Sequence, residues 1–159
     1  MKVKIICVGK LKEKYLLDAV NEYAKRLNRF CTFSIIELGD EKIPDNASDS
    51  IEKQIMKTEA EKIQKHIGDD EYVFSLCVEG TQLSSEEFSS KMSSVMLGGK
   101  STITFVIGGS LGLDESIKKR SDFRISFSKM TFPHQLMRVF LTEQIYRSFK
   151  ISANEKYHK

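Results

Sequence analysis

A chain of 159 residues, 40% hydrophobic and 30% charged, has the composition of one globular domain large enough to bury a core. No apolar run reaches the ~20 residues that cross a bilayer, so no membrane-spanning helix and no membrane partner is expected. The net charge is +3, but residues 118–159 hold ten Lys or Arg and three acids, a local +7 that leaves −4 on the first 117 residues. A basic C-terminal third is the electrostatic footprint of a polyanion partner such as RNA, or else a solvated face.

In chain order, Val3 to Val8 reads as a strand, with too short an apolar core for a signal peptide. Glu13 to Asn28 carries Leu16, Val20, Tyr23 and Leu27 at spacings of three and four, the period of a helix. Thr32 to Leu38 is β-branched and aromatic, hence a second strand, and Gly39 to Asn46 a loop. Ser48 to Ile67 is a charged helix with Ile51, Ile55, Ile63 and Ile67 on one side. Tyr72 to Val78 is a third strand, turned by Glu79-Gly80-Thr81-Gln82. Ser84 and Glu87 form a capping box, and the helix they open ends at Gly98-Gly99. Thr102 to Ile107 is a fourth strand, Asp114 to Arg120 a short helix and Phe123 to Phe127 a fifth strand. The last helix runs from Pro133 to Ser152, because proline suits the first helical position, where its missing N–H is not needed.

Strand alternating with helix specifies an α/β fold with a parallel sheet covered on both faces. Ligands of such sheets bind beyond the carboxyl ends of the strands. Three late loops leave those ends, after Leu76, Ile107 and Phe127, and together they outline one ligand site. The last helix has two apolar rows. Met137, Leu141, Ile145 and Phe149 form one, and Leu136 and Phe140 lie roughly opposite. Burial on two sides predicts a homodimer with this helix in the interface.

Cys7, Cys31 and Cys77 are odd in number, widely spaced and set in apolar runs, which predicts buried reduced thiols in a cytoplasmic protein. Three scattered histidines and no Cys-x-x-Cys give no expectation of a metal. Gly108, Ser110 and Gly112 match a G-x-S-x-G elbow, and Asp122 and His134 follow in the order of a hydrolase triad. A serine hydrolase is therefore one reading, and a non-catalytic RNA- or nucleotide-binding module another. Glu143 and Arg147, four apart on a helix, pair by default. The closing Tyr157-His158-Lys159 is an aromatic and cationic tail suited to stacking on an unpaired base.

One further pattern runs the length of the chain: Val8-Gly9-Lys10, then Phe105-Val106-Ile107-Gly108-Gly109 with Gly112, then Ser126 through His134. It continues through Arg138 and Glu143-Gln144-Ile145-Tyr146-Arg147 to Tyr157-His158. In these motifs the chain resembles the RlmH family of small SPOUT methyltransferases. The family often ends in Arg, and Lys159 keeps the charge without the planar fork.

The resemblance implies a single SPOUT domain over residues 1–159, a parallel-sheet α/β fold with a C-terminal trefoil knot. It implies methylation of N3 of a pseudouridine in 23S rRNA within the assembled ribosome, by a homodimer whose second subunit contributes its tail. The implied cofactor is S-adenosylmethionine, held by Leu76, Gly108, Phe127, Ser128, Lys129, Met130, Thr131 and Phe132. Glu143, His158 and Lys159 are the implied catalytic candidates. Arg138, Arg147 and Tyr157 would meet RNA.

Overall fold

A computed structural model describes residues 1–157. His158 and Lys159, two of the three expected catalytic residues, lie outside the described residues. Five strands, β1 (Lys2–Val8), β2 (Thr32–Leu38), β3 (Tyr72–Gln82), β4 (Thr102–Ile107) and β5 (Phe123–Ser126), form one sheet in the order β2-β1-β4-β3-β5. Every pairing is parallel, as an alternating strand and helix chain requires. Helices α1 (Lys14–Leu27), α3 (Ser85–Leu97) and α5 (His134–Ser152) cover one face, and α2 (Asp49–Gln64) and α4 (Glu115–Arg120) the other.

Alternate residues of the central strands feed two cores. Ile5, Ile103 and Phe105 point to the larger one, with Leu27, Met92, Leu141 and Ile145 from the helices. Ile6, Val8 and Val106 point the other way, onto Ala60, Ile63 and Ile117. Phe74 and Phe105 stack across neighbouring strands with centroids 4.8 Å apart. Such pairs add to area burial by about 0.5–1.5 kcal/mol.

The predicted elements appear with small shifts at their ends. The capping box of α3 is complete: the Glu87 N–H donates to the Ser84 hydroxyl and the Ser84 N–H to the Glu87 carboxylate. Pro133 is the N-cap of α5, one residue earlier than its expected place, with an extended ψ of 129°. β3 does not turn at Glu79. It bulges between Leu76 and Thr81, pairs again with Ile125 and Ser126, and ends at Gln82. Gly80 permits this, because a Cβ there would lie 2.6 Å from the Ile125 carbonyl carbon.

The first apolar row of α5 is buried as expected, with Leu141 and Ile145 at 0% exposure. The second is open: Leu136 is half-buried and Phe140 is exposed. Cys7 and Cys31 are buried, and burial pushes both thiols up to about 11. Cys77 departs from expectation in being only half-buried. No helix among the described residues is long and apolar enough to cross a membrane.

Candidate functional site: a cleft at the carboxyl ends of β3, β4 and β5

The ends of β3, β4 and β5 enclose a cleft of about 290 Å³. Leu76 and Ile125 form part of its apolar wall, with Ile107 at the end of β4 and Met137 from α5. The turn after β4 closes one side. Gly108 has no room for a side chain, since a Cβ would sit 2.7 Å from the Gly112 carbonyl carbon and oxygen. Gly112 donates to the Gly109 carbonyl at 3.0 Å and takes φ +84, the left-handed region where glycine is unstrained.

The segment after β5 closes the other side. Ser128 shapes it: the Met130 N–H donates to the Ser128 hydroxyl at 3.0 Å, and the Ser126 hydroxyl donates to the Ser128 carbonyl at 2.9 Å. Of the eight residues expected to hold a cofactor, Leu76, Gly108, Phe127, Ser128, Met130, Thr131 and Phe132 line this one cleft. Lys129 is exposed and does not line it.

The sequence reading missed several lining groups. Met56 reaches in from α2, far back in the chain, and Glu79 and Lys118 form an ion pair at the rim. The Glu79 carboxyl is held below its usual range, first by the hydrogen bond from Lys118. His134 lines the cleft, and its Nε2 lies 3.6 Å from where a Gly9 Cβ would be. Burial, then the Arg138 charge, lowers the His134 pKa from its ordinary value.

Three expectations for the polar residues meet different outcomes. Arg138 does not face RNA. It is completely buried, donating to the carbonyls of Val8 and Gly9 at 2.9 and 2.8 Å and pairing with Glu37 at 2.8 Å. Those carbonyls end β1 and have no further strand partner, so the guanidinium fork satisfies them and pins α5 to the sheet. Glu143 and Arg147 pair at 2.7 Å as expected. Tyr157 is tied to the same helix: its hydroxyl donates to Glu143 Oε1 at 3.1 Å, and the Arg147 guanidinium lies 4.7 Å from its ring centroid.

The elbow reading fails on topology. Asp122 precedes β5 and donates its backbone N–H to the Val73 carbonyl, while the Val73 N–H donates to its carboxylate at 2.8 Å. In a parallel sheet this is the opposite end from Ser110 and His134, which follow β4 and β5. Among the described residues no three His, Cys, Asp or Glu side chains converge to hold a metal ion.

A parallel α/β sheet with a largely apolar cleft of backbone loops at its carboxyl edge belongs to the class of small-ligand-binding α/β enzymes. Residues 1–158 match the family described as "Predicted SPOUT methyltransferase". The chain belongs to the SPOUT methyltransferase family. It is 58% identical over 159 residues to the "Ribosomal RNA large subunit methyltransferase H" of Bifidobacterium adolescentis, with the whole of both chains covered. A protein of the same name from Streptococcus pyogenes serotype M5 is also 58% identical, again over the full length of both. A solved "probable methylase family protein" from Haemophilus influenzae shares the fold, with a TM-score of 0.52 at 13% identity, covering 99% of this chain and 70% of that one.

Proposed function

We propose that this chain methylates N3 of a pseudouridine in 23S rRNA on the assembled ribosome, taking the methyl group from S-adenosylmethionine. Family membership makes it a methyltransferase, which requires a methyl donor. The shared name of its full-length relatives supports large-subunit rRNA as the substrate. The single observation that carries the donor assignment is the meeting of three sequence-distant loops, after β3, β4 and β5, around one cleft.

The cleft fits this donor. Leu76, Ile107 and Ile125 offer apolar surface to an adenosine, and the turn at Gly108 exposes backbone groups to it. The Glu79–Lys118 pair at the rim presents opposite charges to a zwitterionic amino-acid end. Bound there, S-adenosylmethionine supplies an electrophilic methyl on a sulfonium sulfur. The protein's own work is alignment of the target nitrogen, and effective molarities for such alignment reach roughly 10⁵–10⁸ M. The imide N3–H must also lose its proton, and Glu143, His158 and Lys159 are the groups proposed to accept it or to stabilise the anion. Arg147 and Lys129 are proposed phosphate contacts.

The active unit of this reading is a homodimer, with the open face of α5 against its partner and the second subunit's tail over the target base. A threaded, knotted C-terminal segment belongs to the same proposal. Calorimetry with S-adenosylmethionine tests the donor site: micromolar binding that Gly108→Ala abolishes is expected, and no heat of binding to the native chain would overturn it. Removal of residues 157–159 is expected to spare cofactor binding and to abolish methylation.

A further inference from the structure

Glu59 stands in the core-facing stripe of α2, three residues after Met56 and one before Ala60, and is only 6% exposed. It lies directly behind the glycine turn of the donor cleft. Its two carboxylate oxygens are 3.3 and 3.4 Å from where a Gly109 Cβ would be, and Gly109 lines the cleft. One glycine of backbone therefore separates a buried carboxyl from the space a ligand would fill.

No cation of the fold pairs with this group among the described residues. Its hydrogen bond comes from the Glu41 N–H, at 3.2 Å to Oε1. Lys62, one turn on, is taken by the Glu41 carboxylate at 2.6 Å and the Gly39 carbonyl at 3.1 Å. Burial above all raises the Glu59 carboxyl pKa from the ordinary 4.5, and Asp40 and Glu41 add to it. The Glu41 N–H and the Lys62 charge offset only part of this. The fold thus disfavours the charge on Glu59, although a glutamine there would accept the same hydrogen bond without carrying one. The cleft itself adds no counter-charge, because Glu79 and Lys118 on its wall offset each other as an ion pair.

We infer that Glu59 is the anion by which the cleft distinguishes a sulfonium cation from the neutral thioether left after methyl transfer, acting through the backbone of Gly109. The inference rests on the donor reading above. Methyl transfer returns the C–S bond pair to sulfur and takes the positive charge off it. Attraction to Glu59 is then present for the donor and absent for the spent product, so one wall favours both loading and exchange. A cation in the cleft also favours the ionised carboxylate, so donor binding and Glu59 ionisation reinforce each other. Glu59 does not line the cleft, and its part is selectivity by charge rather than by contact.

The test is calorimetry on the full-length protein with S-adenosylmethionine and with S-adenosylhomocysteine, native beside Glu59→Gln. Thermal unfolding of both proteins without ligand accompanies it. A unit charge acting across a layer of protein, at an effective dielectric constant of about 20, changes the affinity for an opposite charge about tenfold. Glu59→Gln is therefore expected to weaken S-adenosylmethionine about tenfold and to leave S-adenosylhomocysteine within about twofold. Its unfolding temperature is expected to match or exceed the native one.

Equal loss of both ligands, or loss of neither, would overturn the inference while leaving the donor cleft in place. An unfolding temperature well below the native one would make Glu59 a structural tie, and that too overturns it. Failure of the native chain to bind S-adenosylmethionine would overturn the donor reading itself, and this inference with it.

Discussion

Arg138 and Gly9 are 129 residues apart in sequence and joined by a 2.8 Å hydrogen bond from the guanidinium to the carbonyl oxygen. This bond fastens the head of α5 to the end of β1. His134, one turn earlier on α5, faces the same glycine. The segment between β5 and α5, which forms one side of the cleft, is therefore held at its far end by a buried arginine rather than by its own few contacts.

Removing that fastener is costly. Arg138→Met leaves the buried Val8 and Gly9 carbonyls without their guanidinium donor, while Glu37 keeps the Leu11 N–H, and each unsatisfied buried acceptor costs about 1–3 kcal/mol. Glu37→Gln is expected to cost less, about 1–3 kcal/mol, because Arg138 keeps both carbonyls and Glu37 is partly solvated. Urea denaturation of the two variants gives the comparison.

Gly80 and Gly108 separate stability from ligand binding. Gly80→Ala drives a methyl into the Ile125 and Arg124 backbone and is expected to lower stability by about 1–3 kcal/mol or more. Gly108→Ala pushes against Gly112 and deforms the turn that lines the cleft. Thermal unfolding without ligand, beside calorimetry with S-adenosylmethionine, is expected to find stability loss in both and loss of binding most complete in Gly108→Ala.

Glu71 sets an acid limit. Burial alone would raise its carboxyl pKa, but the hydrogen bonds from Lys4, at 2.7 Å, and Thr104, at 2.6 Å, outweigh it and leave the group below its ordinary 4.5. A carboxylate depressed in the folded state contributes stability that is present above the unfolded pKa and lost as pH falls through the folded one. Native stability is expected to drop below about pH 4.5 more steeply than that of Glu71→Gln, which starts lower at pH 7. Urea midpoints from pH 3 to 7 measure the difference.

Tyr157→Phe isolates one contact of the tail. It removes the hydroxyl that donates to Glu143 while keeping the ring against Arg147 and Tyr146. Glu143 retains Arg147 and Gln144, so methylation is expected to fall only about two- to tenfold, far less than on loss of residues 157–159, in line with a single hydrogen bond of ~0.5–1.5 kcal/mol. Single-turnover rates on ribosomes check it.

Most of the fold was legible because its signals are local. Period-two and period-3.6 patterns, the Ser84–Glu87 box and Gly98-Gly99 each act within a few residues, and the structure follows them. The site was legible in outline for the same reason, since every parallel strand must end in a loop at one edge of the sheet. What escaped were long-range relations. The Glu79-Gly80 pair reads as a turn by composition, yet Gly80 serves a close approach to β5 that only tertiary pairing reveals. Arg138 reads as a surface cation by its charge alone, yet it stands three and seven residues before Leu141 and Ile145, on the buried face of α5, and its partners are carbonyls at the far end of the chain. Met56 enters the cleft from a helix whose sequence gives no sign of it.

Mass spectrometry of 23S rRNA from cells with and without this protein decides whether the chain is the methylating enzyme. One N3-methylpseudouridine is expected to be lost without the protein and restored by the native chain but not by Gly108→Ala. A methylation pattern unchanged by the protein's absence would contradict this.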